Sequence, residues 1–225
     1  MSGIHKHKER GERLYPKKNS SRYYILSLLR LVNEEILENI QPNSTMLDFG
    51  CGNMPYRRLY ETKCKYLGVD FEGNEDADIY FESGKIPMRD NTVDYIISTQ
   101  VLEHVVSPEE YLSECFRVLK KDGKLLLSTH GHWKYHPDPT DYWRWTKDGL
   151  EKLLSDNQFE TTHTYGLMGL AASGLQLFQD GFSPNLHYRF KGLFFWIIAY
   201  LQVKIDKWNL YSRDASVFFT ISQKK

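Results

Sequence analysis

Four short apolar runs, Thr45–Phe49, Tyr66–Asp70, Val93–Ser98 and Lys124–Thr129, recur along the chain with segments of helical periodicity between them. Their lengths are those of strands buried on both faces, and parallel strands need a long crossover that is usually a helix. The alternation therefore predicts an α/β fold with a sheet between helices. Residues 21–40 space Ile25, Leu28, Leu29, Val32, Ile36 and Ile40 as one helical face, with Pro42 just beyond. Ser107, Pro108 and Glu110 predict a capping box opening a helix with the stripe Tyr111, Leu112, Cys115, Phe116 and Leu119, ended by Gly123. Thr146 is read as the cap of another helix carrying Leu150, Leu153 and Leu154. Phe159–Tyr165 and Ala215–Ser222 read as further strands around a mainly helical insertion at about 167–210.

With 225 residues the chain fits one domain, taken here as residues 21–225. Residues 1–20 are expected to form a flexible basic arm, since residues 1–22 hold seven Lys or Arg against Glu9 and Glu12. Over the whole chain 29 cations meet 29 anions, so no net field attracts a polyanion and nucleic acid is not expected as a partner. Cys51, Cys64 and Cys115 show neither metal-ligand nor disulfide spacing, and no metal is expected. The absence of an apolar run behind the basic start predicts a cytoplasmic protein without a secretory signal.

The first strand runs directly into Gly50-Cys51-Gly52, a turn whose missing side chains let backbone amides approach a ligand. Eighteen residues beyond Gly52, Asp70 ends the second strand, where a carboxylate can accept hydrogen bonds from ribose hydroxyls. A dinucleotide site would call for a third glycine near position 55, where this chain has Pro55, so nicotinamide or flavin binding is disfavoured. Asp48, two residues before the first glycine, would oppose a pyrophosphate and suit a cationic amino group.

Leu47–Gly52, Tyr66–Asp70, Ile86 to Asp94, Val101–Val105 and Arg117–Gly123 resemble, in order, the motifs of class I S-adenosylmethionine-dependent methyltransferases. The resemblance covers about residues 45–130. It implies a Rossmann-like, seven-stranded, mostly parallel sheet with the last strand antiparallel, and S-adenosylmethionine as cofactor. It further implies that Asp48 with Gly50 and Gly52 holds the methionine moiety, Asp70 the ribose, and Phe71 the adenosine, with Glu82 near the adenine although Phe81–Gly84 departs from the usual pattern. Thr99 and Gln100, just past the fourth strand, would face the methyl-donor end.

Methyl transfer from a sulfonium is a direct displacement that chiefly needs alignment and exclusion of water, with a base required when a hydroxyl is the acceptor. His104, His130 and His136 are the candidate bases. Residues 135–146 pack imidazole, charge and large rings into a proline-stiffened loop in which Asp141, Tyr142 and Arg144 are candidate acceptor-binding residues. This stretch resembles one in a methyltransferase subgroup associated with glycan and cell-surface polysaccharide pathways, which implies an O or N atom of a glycan, glycolipid precursor or small metabolite as acceptor. The competing reading is a catalytically silent protein that keeps the fold as a binding scaffold. Leu193–Leu201 is an apolar run flanked by Arg189, Lys191, Lys204 and Lys207. Too short to span a bilayer, residues 189–207 are expected to form a lid, a homodimer contact or a peripheral contact with the inner membrane face.

Overall fold

The computed structural model describes residues 11, 13–82, 84–137 and 140–225. Seven strands form one sheet in the order β3-β2-β1-β4-β5-β7-β6: β1 (Thr45–Phe49), β2 (Lys65–Asp70), β3 (Ile79–Tyr80), β4 (Val93–Thr99), β5 (Leu119–His130), β6 (Phe159–Gly169) and β7 (Ala215–Lys224). The pairs β1 to β2, β1 to β4, β2 to β3 and β4 to β5 are parallel. Strand β7 runs antiparallel between β5 and β6, which makes the last strand the inverted one, as expected.

Alternation of side chains puts two apolar sets on opposite faces of the sheet. Met46, Ile97, Leu126 and Phe219 join the core under α1 (Tyr23–Glu38), while Leu47, Ile96, Leu127 and Phe218 join the core under α3 (Pro108–Val118) and α4 (Lys147–Asp156). A short helix α2 (Arg57–Tyr60) follows the glycine turn. The insertion is a pair of helices, α5 (Leu170–Phe182) and α6 (Tyr188–Asp206).

Two local expectations fail. Ser107 precedes α3 but its side chain caps nothing, and Pro108 at the first helical position already removes one orphan N–H. Helix α3 stops at Val118, not at Gly123, because Leu119 is recruited into extended pairing with Val93. Thr146 does cap α4, its hydroxyl accepting from the Gly149 N–H at 3.1 Å. All three cysteines are free and buried. Most of the basic arm, residues 1–10 and 12, lies outside the described residues; in its described part Leu14 is buried in the core beside α1.

Candidate active site

The carboxyl ends of β1, β2, β4 and β5 open on a cavity of about 600 Å³, within the range of small-molecule sites. Gly50 and Gly52 line its floor with left-handed backbone, φ +78 and +53. Nothing lies within 4 Å of the Cβ that Gly52 lacks, so the turn presents bare backbone. At Gly50 an added Cβ would meet the methyls of Val101 at 2.6 and 2.8 Å, so this glycine lets the loop after β4 pack against the turn.

Asp70 lines the cavity, but much of its accepting capacity is already engaged. Oδ2 accepts from the Gly52 N–H and the Asn74 amide, each at 2.8 Å, and Oδ1 from the Phe71 N–H at 2.8 Å. The carboxylate thereby ties the end of β2 to the glycine turn. Thr99 and Gln100 also line the cavity. Gln100 adopts a left-handed backbone, φ 59, held by its N–H to the Ser128 carbonyl at 2.9 Å and its amide to the Ser128 hydroxyl at 3.2 Å.

Asp48 lies beneath the floor, 1% exposed, accepting a hydrogen bond from the Tyr66 hydroxyl at 2.6 Å. Burial pushes its carboxyl up to about 7, against the lowering pull of the Tyr66 hydrogen bond. Among the described residues it has no ion-pair partner, and the nearby Tyr56 hydroxyl is buried without a hydrogen bond. A sealed carboxyl that a cation would hold ionised, beside bare glycine backbone and a nucleoside-sized cavity, fits S-adenosylmethionine. Asp48, Phe71 and Glu82 all stand outside the cavity lining. Phe71 is 64% exposed and packs on Phe81, with ring centres 4.3 Å apart, and Glu82 is exposed in a turn bridged to Lys85.

The three candidate histidines all line the cavity. The ring centres of His104 and His136 are 5.7 Å apart and those of His130 and His136 6.2 Å. His104 Nδ1 sits 2.5 Å from the Thr140 carbonyl, which can only accept, so Nδ1 carries the proton and Nε2 the lone pair in the neutral ring. His130 is 4% exposed, stacked on Trp133 with Nδ1 at 3.1 Å from Glu103 Oε1. Burial lowers His130 to about 3, which makes it a weak proton acceptor despite its position.

Asp141 and Arg144 do not face the cavity as free recognition groups. Their side chains form a bidentate pair, both contacts at 2.5 Å, and Arg144 also donates to the carbonyls of Trp133, Lys134 and Trp143. The guanidinium, together with the His136 N–H, holds Asp141 down at about 2. The pair clasps the loop after β5 into shape, and the loop docks through the Tyr142 N–H on the Glu103 carbonyl at 2.8 Å and the Trp143 indole on the Val105 carbonyl at 2.8 Å. Tyr142 is half exposed and outside the cavity lining. Residues 138 and 139 of this loop lie outside the described residues.

Several lining residues escape a reading of the sequence. Arg13 and the α1 residues Ile25, Leu26 and Leu29 close one side. Lys134 reaches Asp180 of α5 at 3.4 Å, bridging 46 positions with no local pattern to announce it. Trp133, which stacks on His130, lies just before the aromatic stretch of residues 135–146 and was not singled out with it.

Residues 19–164 match the sequence profile of a methyltransferase-domain family. The chain is 32% identical over 139 residues to a "Probable S-adenosylmethionine-dependent methyltransferase" of Mycolicibacterium smegmatis, covering 54% of each protein. It is 29% identical over 157 residues to a ubiquinone biosynthesis O-methyltransferase of a Bradyrhizobium strain, covering 55% of this chain and 61% of that one. The chain thus spans 54% and 61% of these two curated relatives. A crystal structure of a SAM-dependent methyltransferase from Aquifex aeolicus superposes over all of both chains with TM-score 0.58 at 14% identity, a likeness of fold.

Proposed function

From the premise that the chain belongs to the methyltransferase-domain family, with curated relatives that use S-adenosylmethionine, we propose that it methylates a hydroxyl oxygen of a glycan or glycolipid precursor. One observation carries this reading: His104 lines the cavity with its Nδ1 proton committed to the Thr140 carbonyl, which leaves the Nε2 lone pair to accept a proton. A hydroxyl must shed its proton as its oxygen is alkylated, whereas an already neutral amine can attack without such help. One of the relatives is likewise named an O-methyltransferase.

When bound, S-adenosylmethionine supplies an electrophilic methyl group on a sulfonium. Asp48 would meet its amino group, Gly50 and Gly52 its backbone-contacting end, and Asp70 its ribose. Thr99 and Gln100, which also line the cavity, would face the methyl-donor end. Trp133, Lys134 and Asp180 also line the cavity and would stand beside the acceptor. As an acceptor oxygen bonded to the methyl carbon, the carbon–sulfur bond would break to release S-adenosylhomocysteine, and the hydroxyl proton would pass to His104 Nε2.

The test is transfer of isotopically labelled methyl to a panel of glycans and lipid-linked saccharides, with the product mapped by mass spectrometry. Methyl found only on nitrogen or carbon would overturn the reading. His104→Asn keeps a donor for Thr140 but removes Nε2. It is expected to bind S-adenosylhomocysteine normally while turnover falls by about a hundredfold or more. Unchanged turnover would remove His104 from the mechanism.

A further inference from the structure

Helices α5 and α6 leave much of their apolar surface facing water. Their inward side buries the polar Ser173, Gln176, Gln179 and Gln202 beside Ala172, Ile198 and Ala199. Gln202 donates to Gln176 at 3.2 Å, Ser173 and Ser216 share a hydrogen bond at 2.6 Å, and Gln176 and Gln179 both donate to the Ser21 carbonyl. Outward, α6 turns Leu193, Trp196, Ile197, Tyr200 and Leu201 to the surface, each 38% to 59% exposed. Their spacing of three and four residues makes one continuous stripe about 12 Å long on a helix about 28 Å long. Phe178 and Phe182 of α5, 55% and 45% exposed, widen it. An apolar face of this extent is not left to water without a counterpart.

Charge identifies the counterpart. Residues 167–210 contain only two carboxylates, and both are engaged away from the stripe: Asp180 on Lys134, and Asp206 on the Tyr24 hydroxyl at 2.9 Å and the Gly169 N–H at 3.1 Å. Arg189 and Lys191 stand at one end of the stripe and Lys204 and Lys207 at the other, with Lys204 lying over the Tyr200 ring at 5.5 Å. Cations flanking exposed aromatic and aliphatic side chains, with no acid between them, complement an anionic interface that is apolar just below its surface. A second copy meeting this face across a two-fold axis would bring like charges together. No described helix is long and apolar enough to cross a membrane, so the face can only lie on one.

We propose that the outward face of α5 and α6 docks the protein on an anionic lipid surface. Through Asp180, and through Ser21 held by Gln176 and Gln179, the same helices form part of the cavity wall, so docking would set the cavity beside lipid headgroups. Lipid binding itself does not depend on the methyl-transfer reading, and either can fail without the other.

The experiment is co-sedimentation of the full chain with vesicles of phosphatidylcholine alone and of phosphatidylcholine mixed with phosphatidylglycerol. Binding is expected only to the mixed vesicles, weakening with added salt. Arg189→Gln with Lys191→Gln, at an exposed and a half-buried position, should lower partitioning by about thirtyfold, since each cation near such a surface is worth about fivefold. Leu193→Gln with Trp196→Gln should abolish binding while circular dichroism and melting temperature stay as in the parent. No binding to mixed vesicles at low salt, or equal salt-independent binding to both kinds, would overturn the proposal. So would a dimer in solution that the Leu193 and Trp196 substitutions dissociate without changing sedimentation.

Discussion

Glu103 Oε1 and His130 Nδ1 lie 3.1 Å apart, behind the cavity that His130 lines, without the angle of a hydrogen bond, while Glu103 Oε2 accepts from the Thr129 hydroxyl at 2.9 Å. Glu103 is fully buried and His130 nearly so, and burial raises the carboxyl and lowers the imidazole to about 3. In the unfolded chain the imidazole takes its proton near the ordinary value of about 6.5. Between those values the unfolded state binds the additional proton, so the histidine's contribution to stability is present above about 6.5 and is lost as pH falls toward 3. Glu103 acts with the opposite sign. His130→Asn should therefore lose less melting temperature on acidification than the parent, and Glu103→Gln should lose more. Parallel pH profiles in all three proteins would show that the pair does not titrate in this way.

Asp48 should trade stability against binding. Its folded-state value of about 7 stands above the unfolded carboxylate range, so its favourable contribution is full below about 4 and is lost as pH rises through 7. Asp48→Asn, which keeps an acceptor for Tyr66, is expected to be more stable than the parent at alkaline pH by an amount on the order of 2 kcal/mol. Affinity for S-adenosylhomocysteine should fall by about tenfold to a hundredfold. In the parent, calorimetry in buffers of different ionisation enthalpy should detect proton release on binding below pH 7. A variant that binds as tightly as the parent would show that the ligand's cation does not meet this carboxylate.

The two turn glycines should fail differently. Gly50→Ala drives a methyl into Val101 and strains a left-handed backbone, and should cost about 2 kcal/mol or more in unfolding free energy. Gly52→Ala meets no protein atom and should cost only about 1 kcal/mol for its backbone conformation. Its methyl points into ligand space, so S-adenosylhomocysteine binding should weaken far more than stability. Denaturant unfolding set beside calorimetry checks both, and equal loss of stability in the two variants would contradict the packing at Val101.

Arg144→Lys should loosen the loop after β5. A lysine cannot reproduce the bidentate contact with Asp141 while also reaching the carbonyls of Trp133, Lys134 and Trp143. With the guanidinium 30% exposed, the loss is expected at about 1 kcal/mol, below that of a sealed pair. Limited proteolysis should cut between residues 134 and 144 sooner than in the parent, and KM for the acceptor should rise with little change in affinity for S-adenosylhomocysteine. Unaltered proteolysis would show that the clasp does not hold the loop.

The sheet, its glycine turn and the acidic residues at the ends of β1 and β2 were legible because they rest on local rules: alternation within strands, apolar runs between helices, and backbone torsions that glycine accepts. Boundaries were less so. Ser107 and Glu110 suited a capping box, yet Pro108 opened α3 without one, and pairing of Leu119 with Val93 shortened the helix that Gly123 was expected to end. Strand β3, two residues long, carried too little pattern to be read.

By itself the sequence determined the order of elements and which carboxylates and glycines stand at the carboxyl edge of the sheet, since hydrophobic period and backbone sterics act between near neighbours. Tertiary structure decided what those groups can do. The reach of Arg144 to the carbonyls of Trp133 and Lys134 made its local pair with Asp141 a clasp, and burial beside Glu103 took His130 out of the acid–base range while Thr140 set the tautomer of His104. Packing also turned the glutamines of α5 and α6 inward and their rings outward. Solvation and charge depend on neighbours brought together from distant parts of the chain, and no local pattern encodes them.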